Sequence, residues 1–196
     1  DGKWFSGSVI KRYVNDIAEL IKEQSVRNIL DYGCGKGYQY LLLRIHERWG
    51  GILPHCYDIG VRQLAERPNR KFDAVICTDM LEHIEEADVP GVLDDIFGFL
   101  THEDRPKFVF LSITCRPDFK TDRTYDSDSP VAEKRERREK GTKRLSDGQD
   151  LHVTIKPPDW WVPQIHQAAG RASVSQLRVR AGFECEDGRL RREVIL

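Results

Sequence analysis

The stretch NILDYGCGKGYQY holds three glycines at alternate positions, Gly33, Gly35 and Gly37, and Asp31 stands two residues ahead of the first. Glycine adopts backbone angles closed to other residues and lets a ligand reach main-chain N–H groups with no Cβ in the way, so such a run forms a bare cradle. Spacing narrows the choice of ligand. A dinucleotide-binding turn needs its third glycine where this chain has Tyr38, and a phosphate loop needs a Ser or Thr after the lysine, where this chain has Gly37 after Lys36. Asp31 would also repel a pyrophosphate, so the carboxylate favours a cationic ligand. A second set of residues can move protons. Asp79, Glu82 and His83 in DMLEH, and His152 in LHVTIKPP, combine carboxylates with imidazole, whose near-neutral pKa makes it a natural base for a hydroxyl.

These side chains need elements to hold them. Apolar residues at Val9, Ile10, Tyr13, Val14, Ile17, Leu20 and Ile21 recur at helical spacing, with Ser8 as an N-cap. VRNILDYG then reads as a strand, YQYLLLRIHERWG as a helix closed by Gly50 and Gly51, and LPHCYD and KFDAVICTDM as two further strands. VPGVLDDIFGFL reads as a helix and KFVFLSIT as a very apolar strand. Unbroken apolar strands alternating with helices predict an α/β, doubly wound, mostly parallel sheet with helices on both faces. The tail from Ser173 reads as an antiparallel strand pair joined through EDG, and Asp159 as the cap of a helix running to Ala169.

LDYGCGKG resembles the first motif of the class I S-adenosylmethionine-dependent methyltransferases, an acidic residue followed by GxGxG. That cofactor carries an ammonium and a sulfonium and no phosphate, in keeping with Asp31. Asp58, ending the second strand, stands where this family hydrogen-bonds the ribose hydroxyls. FDAVICTDMLEHI resembles the family's motif at the strand end lining the methionine part of the cofactor. The resemblance implies a cofactor site built from Asp31, Gly33, Cys34, Gly35, Gly37, Asp58, Ile59, Thr78, Asp79 and Met80. The 13 residues between Asp58 and Phe72 are too few for the family's usual helix, strand and loop. Adenine recognition therefore falls to main chain near Thr78 or Asp79, or to side chains of this short connection.

LHVTIKPPxWW resembles a signature of small, stand-alone bacterial enzymes of this class. Within that reading His152, His83 and Asp79 are the catalytic candidates, and Glu82, Lys156, Trp160 and Trp161 the acceptor-site candidates. Trp160 and Trp161 diverge by about 100° on a helix, so one packs and the other can wall the acceptor site. The reaction favoured is O-methylation of a small polar acceptor such as a carbohydrate or its phosphorylated or nucleotide-linked form. Asp79, Glu82, His83 and His152 also resemble, in order, the metal-binding set of small-RNA 3′-end methyltransferases. A divalent metal and an RNA-terminal 2′-O-methyltransferase form the less favoured alternative, and a non-catalytic cofactor-binding module a third.

At 196 residues the chain suits one domain. Its 31 basic and 32 acidic residues give a net charge of −1, which offers no global attraction to nucleic acid or to an anionic membrane. The span 116–150 is almost wholly polar and reads as an insertion or lid. Within it EKRERREKGTKR, with seven basic and three acidic residues, is a local exception to the charge balance. Trp4 and Phe5 read as a lid over the cofactor or a seal on the sheet edge. Five cysteines without a CxxC pair suit buried thiols in a reducing, cytoplasmic setting, with a monomer or homodimer expected. No apolar run approaches the roughly 20 residues needed to span a bilayer.

Overall fold

The computed structural model describes residues 8–116, 152–185 and 187–196. Its strands are β1 (Ile29–Tyr32), β2 (His55–Tyr57), β3 (Ala74–Thr78), β4 (Lys107–Thr114), β5 (Leu177–Glu184) and β6 (Leu190–Val194). They form one sheet in the order β2-β1-β3-β4-β5-β6. The first five run parallel, and β6 runs antiparallel to β5. The α/β, doubly wound expectation holds, as does the C-terminal antiparallel pair. That pair turns through Gly188, whose φ of 75° lies in the left-handed region.

Alternation along the strands divides the core in two, because successive side chains leave opposite faces of a sheet. Ile29, Ala74, Ile76, Phe108 and Phe110 pack with α1 (Val14–Gln24), α2 (Tyr38–Leu42) and α3 (Ile45–Arg48). Leu30, Val75, Cys77, Val109 and Leu111 pack with α4 (Val89–Gly98) and α5, which spans Pro158–Ala172. Both faces are covered, and this is why β3 and β4 are buried along their whole length and largely apolar.

Three local details differ from the sequence expectations. The helix expected over YQYLLLRIHERWG is two short helices, α2 and α3, broken at Arg44 with φ 50°. A continuous helix would put Ile45 about 140° around from Tyr40. The break re-aims the chain so that Tyr40, Ile45 and Trp49 all reach one core while Leu41 and Leu42 stay exposed. At the other end of the chain Pro157, not Asp159, caps α5, and Asp159 lies in its first turn, accepting from Arg191 at 2.9 Å. Ser8 opens a 3-10 turn to Arg12, and α1 is capped at Tyr13 instead.

The short connection after Asp58 is as abbreviated as its length required: residues 59–71 contain neither helix nor strand. Among the described residues no helix is long and apolar enough to cross a membrane. The basic run, Trp4 and Phe5, and the polar span beyond Arg116 lie outside the described residues.

Candidate active site

Parallel register brings the ends of β1, β2, β3 and β4 to one edge of the sheet, pairing Tyr32 with Tyr57 and Thr78 with Ser112. The glycine loop leaves β1 at that edge. Gly33, Gly35 and Gly37 have φ of 72°, 59° and 68°, all left-handed. At Gly33 an added Cβ would lie 2.6 Å from Met80 Cγ, so the loop and the β3 end touch there. Asp58 accepts from Gly35 N at 2.7 Å through Oδ2 and from Gly60 N at 2.8 Å through Oδ1. It therefore fixes the middle glycine and the start of the short connection together. Ile59, one residue on, is largely exposed.

Asp31 is buried beneath this loop. Its Oδ2 accepts from Tyr40 Oη at 2.7 Å, and Gln39 Nε2 reaches Cys34 O at 3.1 Å beside it. Asp31 Oδ1 is buried with no partner. Loss of water pushes the Asp31 carboxyl up to about 7, aided by the negative charge of Asp58 and opposed by the Tyr40 bond. A buried, unpartnered carboxylate oxygen at a bare loop fits a ligand that brings positive charge. It does not fit one that brings phosphate.

The second cluster sits at the end of β3. Asp79 adopts φ 57°, a conformation aspartate tolerates better than most residues, and its N donates to Ser112 O at 3.1 Å. Thr114 Oγ1 donates to Asp79 Oδ1 at 3.3 Å. Glu82, in the 3-10 turn Leu81–His83, is wholly buried, and its Oε1 accepts from Thr114 N at 2.8 Å. Its Oε2 is buried without a partner. Burial first, and the charge of Asp79 second, push the Glu82 carboxyl up to about 8, so near neutral pH it holds its proton.

Residues 152–154 are stitched onto this turn. Glu82 O accepts from Val153 N at 2.9 Å and Thr154 N at 3.0 Å, and Thr154 Oγ1 donates to Ile84 O at 2.6 Å. His152 is thereby held against His83, with ring centroids 4.9 Å apart and planes at 69°. Ligand atoms of Asp79, Glu82 and His152 all lie within 4.8 Å of one another. His152 Nδ1 stands 2.9 Å from the Arg116 carbonyl. A carbonyl only accepts, so in the neutral ring Nδ1 carries the proton and Nε2 is the basic nitrogen.

The structure thus brings Asp79, Glu82, His83 and His152 together although some 70 residues separate them in the chain. The tryptophans divide as their helical angle required. Trp161 is wholly buried and donates through Nε1 to Lys156 O at 3.2 Å, so it packs in the core. Trp160 is half-buried, edge-on to Trp161, with Lys156 Nζ 5.6 Å from its ring centre. Lys156 also pairs with Glu86 at 2.7 Å. Sequence reasoning did not single out Gln39 and Tyr40 as holders of Asp31, Cys56 beside it, or Thr114 and Thr154 as anchors of the second cluster. Tyr40 alone carried a signal, a phenol just inside the helix that follows the loop.

The methyltransferase-domain family matches residues 8–123 of this chain. The chain belongs to that family, and its fold is that of the class I, S-adenosylmethionine-dependent kind. It is also similar to a solved structure described as an O-methyltransferase family protein from Burkholderia thailandensis. That match has 12% identity and a TM-score of 0.48, and covers 83% of this chain and 51% of that one. The chain therefore spans about half the length of that protein. No curated protein matches it.

Proposed function

We propose that this protein transfers a methyl group from S-adenosylmethionine to a hydroxyl oxygen of a small polar acceptor, such as a carbohydrate or its phosphorylated or nucleotide-linked form. The observation carrying this reading is the His152–His83 pair, held beside Asp79 at the same sheet edge as the glycine loop. When bound, the cofactor supplies an electrophilic methyl carbon on a positively charged sulfur. Asp31 Oδ1 would take its ammonium, Asp58 its ribose, and Gly33 to Gly37 its main-chain contacts, with Met80 beside the loop. Main chain at Thr78 and Asp79, or the connection after Ile59, would meet the adenine.

His152 removes the hydroxyl proton at Nε2, and the Arg116 carbonyl at Nδ1 keeps the ring in the tautomer that can do so. Asp79 and His83 orient the hydroxyl; the Glu82 main-chain carbonyl holds Val153 and Thr154 in place, and its protonated side chain adds no second negative charge. Trp160 and Lys156 offer a flat face and a cation to a sugar or its phosphate. The test is a screen of acceptors by S-adenosylhomocysteine release, followed by His152→Ala. That variant should keep cofactor affinity and lose about 100-fold or more in turnover; unchanged turnover would remove His152 from the mechanism.

A second reading, a metal-dependent RNA-terminal 2′-O-methyltransferase, draws support from one observation. Asp79, Glu82 and His152 present converging ligand atoms, and Glu82 Oε2 is buried and unpartnered. Carboxylates with imidazole suit magnesium or manganese, which would lower the pKa of a terminal hydroxyl. Loss of turnover in EDTA and its return with manganese would favour this reading; indifference to EDTA would end it.

A further inference from the structure

We propose that Cys34 and Cys56 form a reversible disulfide that fastens the glycine loop to β2 and switches off cofactor binding. The disulfide stands on the thiols alone, while its effect on binding rests on the assignment of the loop to S-adenosylmethionine.

Cys34 lies between Gly33 and Gly35, and Cys56 pairs with Asp31 in the β1–β2 register. The two sulfur atoms lie within 4.8 Å of each other and of an Asp31 carboxylate oxygen. The backbone is already in reach. Gly33 N and Cys34 N both donate to Tyr57 O, at 2.8 and 3.3 Å, one residue from Cys56. The Cys34 and Cys56 side chains are also in hydrogen-bond contact, so the two sulfurs already face each other. Cys56 Sγ also forms the floor of the loop, 3.1 Å from where a Cβ on Gly37 would lie.

Cys56 is half-exposed and Cys34 buried, so an oxidant meets Cys56 first. With hydrogen peroxide, the Cys56 sulfur forms an S–O bond as the O–O bond breaks, giving a sulfenic acid and one water. Cys34 sulfur then attacks Cys56 sulfur; the S–S bond forms, the S–O bond breaks, and the oxygen leaves as a second water. Two electrons pass from the thiols to the peroxide, and a dithiol reverses the change by exchange. The hydrogen bond with Cys56, then burial and the carboxylates nearby, push the Cys34 thiol up, so the second step quickens as pH rises. Closing the bond draws Cys34 Sγ away from Gly35 O, which it now contacts at 3.3 Å, and pulls the cradle toward β2.

The experiment oxidises the reduced protein with hydrogen peroxide and maps it by non-reducing peptide mass spectrometry. The expected product is a linked Cys34–Cys56 peptide about 2 Da lighter than the two thiols. Calorimetry with S-adenosylhomocysteine should show affinity lowered at least about tenfold, since main-chain misplacement of an ångström is costly, and restored by dithiothreitol. Cys56→Ser should show the same affinity before and after peroxide. A peptide map without the Cys34–Cys56 link overturns the proposal, and a linked protein that binds as well as the reduced one overturns the switch. If the reduced protein binds no cofactor, the loop assignment and the switch fall together, while the linked peptide by itself upholds the disulfide.

Discussion

Asp31 and Glu82 are two carboxyl groups held away from water at the same sheet edge, each with one oxygen bonded and the other bare. Replacing Glu82 by glutamine keeps the oxygen that accepts from Thr114 and removes the ionisation. Glu82→Gln should match the parent in Tm at pH 4. At pH 9, where the parent must ionise a buried acid, it should be more stable by a few kcal/mol, on the scale of about 1.4 kcal/mol per pKa unit. A pH series of thermal melts measures this, and equal curves at both pH values would place Glu82 in contact with water. Gly33→Ala combines an unfavourable φ with a clash against Met80. It should lower stability by about 1–3 kcal/mol and weaken cofactor binding, both readable from chemical denaturation and calorimetry. The glycine loop and Asp31 could be singled out because loop chemistry is written in consecutive residues, and Asp58 because it ends the second strand. Which oxygens of Asp31 and Glu82 stay unused was not legible, because Tyr40 and Thr114 reach the other oxygen of each through the fold and not through any local period.

Elements whose pattern repeats were read well, and elements whose direction depends on tertiary contacts were not. The strands followed from apolar runs and turn residues. The break between α2 and α3 did not, since only the position of the core decides that Tyr40, Ile45 and Trp49 must face one way. Similarly, the angle between adjacent tryptophans required that they diverge, but which one packs depends on α4 and β4. Trp161→Ala should cost about 3–5 kcal/mol, seen as a lower urea midpoint at unchanged slope, because it empties a wholly buried site beneath the Lys156 carbonyl. Trp160→Ala should leave that midpoint nearly unchanged and raise the KM for the acceptor. A shift the other way round would reverse their roles.

For the molecule as a whole, the raised carboxyls set a sign for stability against pH. An acid whose folded pKa lies above its unfolded value binds its proton more tightly when folded, so stability is full below about pH 4 for these groups and falls as pH climbs toward 8. Asp95 and Glu184 act oppositely. Their arginine partners hold both carboxyls below the usual range against the effect of burial, and their contribution is lost in acid. The protein should therefore melt highest in mildly acidic buffer.

The three-residue β2 bonds to the sheet on one side only, and the chain leaves it through residues 59–71 without a helix to shelter it. Such a strand can detach while the interior of the sheet stays intact, so its amides should exchange with deuterium by a partial opening of low free energy. The amides of Val109 to Leu111 should exchange only when the entire chain unravels. Because Cys56 and Tyr57 lie against the glycine loop, nucleoside occupancy should slow labelling at this rim first, turning the weakest part of the architecture into its most sensitive reporter.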